Sequence, residues 1–143
     1  MSSKAQESIE RRVNFAINAA IEHHRYVSAI DVLIGMDLLT IEKVEAWRKG
    51  QVPYLERVVT AGLGTISRSM NFFRQQAIKS GLYPSETAYM SRGSGKRPLR
   101  FSKSGDPAIE RSYRTHYVSR QLMDKLPIQS TNARKSESFG LAP

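Results

Sequence analysis

The chain contains no cysteine, which excludes disulfides, thiolate nucleophiles and Cys-based zinc sites. That absence fits a reducing compartment. No stretch approaches the roughly 20 apolar residues that a bilayer-spanning helix requires. Residues 1–20 carry Lys4, Glu7, Glu10, Arg11 and Arg12 at helical spacing, which is not the plan of a secretory signal. There is no internal repeat. The expectation is a cytoplasmic protein with no membrane partner. At 143 residues it is one domain, long enough to bury a core without metal or disulfide staples.

Acid is also missing where it would matter most. Residues 91–103 hold Arg92, Lys96, Arg97, Arg100 and Lys103 and not one Asp or Glu. The formal net charge is +9, from 22 Lys/Arg against 13 Asp/Glu. Residues 1–85 contribute +3 of it and the shorter remainder +6. A surplus concentrated in this way favours a polyanionic partner such as nucleic acid or an acidic protein surface. The plainer reading is a solubilising surface.

Helical periodicity organises most of the chain. Ser3 and Gln6 have the spacing of a capping box, and Ile9, Val13, Ile17 and Ile21, with Ala16 and Ala20, make one apolar stripe. His23 and His24 close that helix. Adjacent side chains diverge by about 100° on a helix, so the two do not form a metal-binding pair. Ser28 and Asp31 form a second capping box, with Val27 and Val32 at staple spacing. Thr40 caps a third helix with Ile41, Val44 and Trp47 inward, stopped by Gly50. A fourth helix is expected from Pro53, carrying Leu55, Val58 and Val59 and ending at Gly62. Residues 65–80 read as an amphipathic helix with Ile66, Met70, Phe73 and Ala77 inward, stopped at Gly81; its outer face bears Arg68, Asn71, Arg74, Gln75 and Lys79.

Beyond Pro84 the pattern changes. Thr87-Ala-Tyr-Met90 and Pro98-Leu-Arg-Phe101 are short extended candidates around a Gly-Ser-Gly loop. Asp106-Pro107 opens a helix expected to run through Ile109, Tyr113 and Tyr117, and Ser119 is placed to cap a further turn with Leu122, Met123 and Leu126. The fold class expected is mainly α, a compact bundle of four to six helices with one short β-hairpin before the last helices. It spans residues 1–126, with a basic β-ribbon near 87–102, and residues 127–143 form a mobile tail.

Two sets of residues invite chemistry. Gly93-Ser-Gly95-Lys96 suggests a phosphate loop, but that motif needs glycine where Met90 stands and Ser or Thr where Arg97 stands. Asp106, Glu110 and His116 suggest an acid–base or metal site. Helical spacing brings the two acids to one side and sends His116 to another, while Asp106 is accounted for as a cap and Glu110 as an ion-pair partner for Arg114. No cofactor or metal is expected. Tyr89, Phe101, Tyr113 and Tyr117 lie near the cations, where rings could stack on bases. Core-facing positions explain Tyr89, Phe101 and Tyr117 as well.

Val44-x-x-Trp47-x-x-Gly50-x-x-Pro53 resembles the end of a recognition helix in repressor-type helix-turn-helix domains, with the proline one position early and no glycine in the preceding turn. A basic ribbon after a helix resembles the wing of winged-helix proteins. A longer resemblance covers residues 27–119, through Asp31-Val-Leu-Ile-Gly35, Trp47-Arg-Lys-Gly-Gln-Val-Pro-Tyr-Leu-Glu56, Gly81-Leu-Tyr-Pro-Ser-Glu-Thr87 and the run from Arg97 to Val118. This is similar to the N-terminal part of an uncharacterised bacterial family whose longer members add a cysteine-bearing, zinc-binding type of segment. The resemblance implies a module that travels as a unit and supplies no activity; with no cysteine here, it carries no metal role.

The function expected is non-catalytic binding of DNA or RNA through Arg92, Lys96, Arg97, Arg100, Lys103, Arg111 and Arg114. The alternative is a protein-interaction or self-association module that docks an acidic surface. An enzyme acting on a phosphodiester is the third reading.

Overall fold

The structure is a computed structural model and describes residues 3–92 and 95–120. In chain order the elements are α1 (Lys4–His24), β1 (Tyr26–Val27), α2 (Ala29–Gly35), α3 (Ile41–Arg48), a 3-10 turn (Leu55–Val58), α4 (Leu63–Lys79), β2 (Tyr83–Glu86), α5 (Pro107–Arg114) and β3 (Thr115–Val118). The class is mainly α, with a small antiparallel sheet beside the helices. No described helix is long and apolar enough to cross a membrane. The helical turn expected after Ser119 and the tail expected over 127–143 lie outside the described residues.

Local signals set most helix limits. Ser3 accepts the Gln6 amide at 3.0 Å to start α1, while the Gln6 side chain turns to Glu10 instead of closing the box. The α1 stripe is buried at Ile9, Val13, Ala16, Ile17 and Ala20. At α2 the box closes both ways: Asp31 N–H donates to Ser28 Oγ at 3.1 Å, and Ser28 N–H donates to Asp31 Oδ2 at 2.9 Å. Val27 and Val32 on either side are fully buried, as a staple requires. A Cβ placed on Gly35 would lie 2.5 Å from the Ala16 Cβ, so α1 and α2 cross at a distance open only to glycine. Gly50 (φ 82°) ends the α3 region in the left-handed conformation, with Gln51 N–H donating to Ala46 O at 2.9 Å.

Three expectations are corrected. The fourth helix shrinks to one 3-10 turn at Leu55–Val58, whose Leu55 and Glu56 amides donate to Arg100 O (3.1 Å) and Phe101 O (2.9 Å). The turn at 100–101 takes these two amides, and residues 51–54 ahead of them are not helical. Helix α4 begins at Leu63 after Gly62, two residues ahead of Thr65. The helix from Pro107 stops at Arg114, and Thr115–Val118 becomes a strand. Thr115 Oγ1 donates to Arg111 O at 2.8 Å, and the β-branched and aromatic residues that follow suit the centre of a sheet. The short hairpin expected before the last helices is there, paired through one antiparallel bridge, Met90 opposite Pro98, with Leu99 N–H on Tyr89 O and Ser91 N–H on Arg97 O. Pro98 has no N–H to extend it.

The sheet order is β1-β3-β2, so the last strand among the described residues lies between the two earlier ones. Tyr26 pairs with Val118 and Val27 with Tyr117 on one side; Tyr83 through Glu86 pair with Val118 through Thr115 on the other. His116, Tyr117 and Val118 are all buried. Under the ribbon, Trp47, Tyr89, Phe101 and Tyr113 form an aromatic cluster, with Phe101 4.8 Å from Trp47, 5.1 Å from Tyr89 and stacked on Tyr113 at 5.2 Å.

Candidate functional site

The segment that carries the cations is bolted to the rest of the molecule through its backbone. Arg100 O accepts Trp47 Nε1–H at 2.7 Å. The Glu110 carboxylate, nearly buried, accepts Phe101 N–H (2.9 Å), Ser102 N–H (2.7 Å) and Ser102 Oγ–H (2.6 Å). Glu56 accepts Lys103 N–H at 2.9 Å and Tyr113 Oη–H at 2.6 Å. Burial and then that carboxylate push the Tyr113 phenol up, so it keeps its proton and donates. Glu110 therefore does not pair with Arg114; it holds the turn at 101–102.

With the backbone fixed in this way, the seven cations separate into three groups. Arg92 reaches Glu45 at 2.7 Å. Arg114 reaches Glu86 at 2.8 Å, and Arg111 lies 3.9 Å from the same carboxylate with its side chain 71% exposed. Arg100 folds back, donating Nε–H to Ser102 O at 2.8 Å and Nη2–H to Lys103 O, with its guanidinium 5.6 Å from the Tyr54 ring centre. Lys96, Arg97 and Lys103 are exposed, and their side chains have no ion pair among the described residues. The continuous cationic stripe expected from the sequence is thus broken up. Acids brought in from α3 and β2 take up Arg92, Arg111 and Arg114.

The rings face inward. Tyr89, Phe101, Tyr113 and Tyr117 are all buried, so none is presented for stacking. In α3, Val44 and Trp47 are buried while Ile41, expected inward, is 64% exposed, and the outer face mixes Glu42 and Glu45 with Lys43, Arg48 and Lys49 rather than presenting a uniformly basic surface to phosphate.

Asp106, Glu110 and His116 are not brought together. Asp106 caps α5, accepting the Ala108 and Ile109 amides at 3.1 Å. His116, 1% exposed, shares a 2.7 Å hydrogen bond with Tyr89 Oη and stacks on Tyr26 at 4.9 Å. Tyr26 in turn stacks on His24, whose Nε2 lies 3.1 Å from Asp31. Among the described residues no group of His, Asp and Glu is arranged to hold a metal.

Burial brings the His116 pKa down to about 4, with Asp31 opposing the shift and His24 and Arg48 adding to it. The unfolded chain takes up this proton near pH 6.5. Stability should therefore be complete above pH 6.5 and fall as pH drops from 6.5 towards 4, by roughly 3 kcal/mol from this group. Urea denaturation at pH 7.0, 5.5 and 4.5 measures the fall, and His116→Gln should flatten that part of the profile. An equal fall in both proteins would assign it to other groups.

One surface feature went unread in the sequence. A groove of about 910 Å³ runs between α4 and α5, with the turn at 102–104 as a third wall. Ile66, Met70, Tyr113 and Tyr117 belong to its lining, and Leu63 and Ile109, exposed apolar side chains, stand at it. Arg74 Nη1–H donates to Ser112 Oγ at 3.0 Å and bridges the two helices. Periodicity identified Arg74 as outward-facing on α4; nothing local indicated that α5 would pack alongside and turn that face into a cleft. Set against protein-family models, curated proteins and solved structures, the chain matches none of them.

Proposed function

We propose that this protein is a small non-catalytic module that binds nucleic acid through its phosphate backbone, with Lys96 and Arg97 at the ribbon and Lys103 at the following turn as the contacts. The observation that carries the reading is that these three cations are exposed and free of ion pairs among the described residues. Arg92, Arg100, Arg111 and Arg114 serve to shape the surface around them. Because the aromatic rings are used in the core, binding rests on charge and carries little base preference, so DNA and RNA bind alike.

Fluorescence anisotropy with labelled duplex DNA, single-stranded DNA and RNA across a salt series tests this. Three phosphate contacts predict a slope of log K on log salt of about −3, and Lys96→Ala with Arg97→Ala should bring it to about −1. No binding at low salt, or a slope unmoved by the double variant, overturns the proposal. A pull-down that survives nuclease treatment would instead favour docking on an acidic protein.

A further inference from the structure

We infer that the groove between α4 and α5 is a binding site for a small anionic amphiphile, a molecule with an apolar body and one acidic head. Its volume, about 910 Å³, lies in the range of ligand pockets and suits one such molecule. The floor and the exposed Leu63 and Ile109 beside it offer an apolar bed.

The charge around the groove has one sign to spare. Arg74 and Lys103 line it against a single lining carboxylate, Glu56, while Arg111, also in the lining, lies 3.9 Å from Glu86. The partners of Arg74 are neutral, a serine hydroxyl and the Asn71 side-chain oxygen, so its charge is oriented but not cancelled. A guanidinium held this way at the join of the two helices is suited to receive a carboxylate or phosphate head. This site does not depend on Lys96 or Arg97; it shares Lys103 with the nucleic-acid reading and goes beyond it.

The test uses the full chain and three probes: anilinonaphthalene sulfonate, dodecanoate and dodecyl phosphate. The dye should bind one-to-one and saturably at neutral pH, with the near-ultraviolet circular dichroism of a folded protein retained. Dodecanoate and dodecyl phosphate should displace it, their ratio reporting which head the site prefers, and dodecanol should displace it about tenfold less well. Arg74→Met, which keeps the stem and removes the charge, should weaken the acids about tenfold and leave dodecanol unchanged. Ile109→Glu, at a position already 44% exposed, tests the apolar bed without disturbing the core and should weaken every probe at least tenfold. Absent or unsaturable dye binding overturns the inference, as does binding that both folded variants retain in full. Loss of salt-dependent nucleic-acid binding in the Lys96 and Arg97 variant, with dye binding intact, would show the two sites to be separate.

Discussion

Glu110→Ala is expected to lower stability by about 3 to 5 kcal/mol, far more than an ordinary helix-surface glutamate would. The carboxylate accepts three hydrogen bonds, from the amides of Phe101 and Ser102 and the Ser102 hydroxyl, all between 2.6 and 2.9 Å. Phe101 is fully buried and Ser102 2% exposed, so water does not replace the lost acceptor. Each stranded donor costs about 1 to 3 kcal/mol. Glu110→Gln should cost less but remain costly, because its NH₂ presents a donor to donors. The control is Asp106→Ala, which removes an exposed helix cap and should cost about 1 kcal/mol. Urea denaturation of the three variants decides the matter: if Glu110→Ala costs no more than Asp106→Ala, the carboxylate does not hold the turn.

Trp47→Ala should be comparably severe, about 3 to 5 kcal/mol, and Trp47→Phe roughly half of that. The side chain is wholly buried, packs 4.8 Å from Phe101 and 5.9 Å from Tyr89, and donates its indole N–H to Arg100 O. Phenylalanine keeps much of the packing and loses the hydrogen bond. Since Trp47 is the only tryptophan in the chain, its fluorescence in the native protein reports on this one joint. The emission should shift to the red in the same urea range in which circular dichroism records loss of helix. An earlier fluorescence transition would mean that α3 and the ribbon part before the bundle unfolds. Circular dichroism follows the variants, which lack the fluorophore.

These two residues also mark where sequence reading succeeds and where it stops. Trp47 was placed inward by its spacing from Val44, and the Ser28–Asp31 box and the glycine stops at Gly50 and Gly81 were legible because each depends on neighbours within a turn or two. Glu110 was also seen on its helix, yet its partners lie eight and nine residues back, on a turn whose position depends on Glu56 and Trp47. Strand β3 escaped for a similar reason. Ile109, Tyr113 and Tyr117 keep helical spacing, and only the pairing with β1 and β2 makes an extended chain preferable after Arg114. The same holds for charge: that Glu45 would meet Arg92, and Glu86 would meet Arg114, depends on contacts 47 and 28 residues apart. Periodicity and capping describe one element at a time, and a binding surface is made by several.

The strand order has a consequence for how the molecule is made. A ribosome delivers Tyr26–Val27 and Tyr83–Glu86 well before Thr115–Val118, the strand that belongs between them. Until that late piece emerges, the two earlier strands have no native sheet partner, and the hydrogen-bonding groups they will give to it remain open to other chains. Closure of the sheet is thus timed to the arrival of β3, and a product of synthesis interrupted before it would leave those sticky margins uncovered.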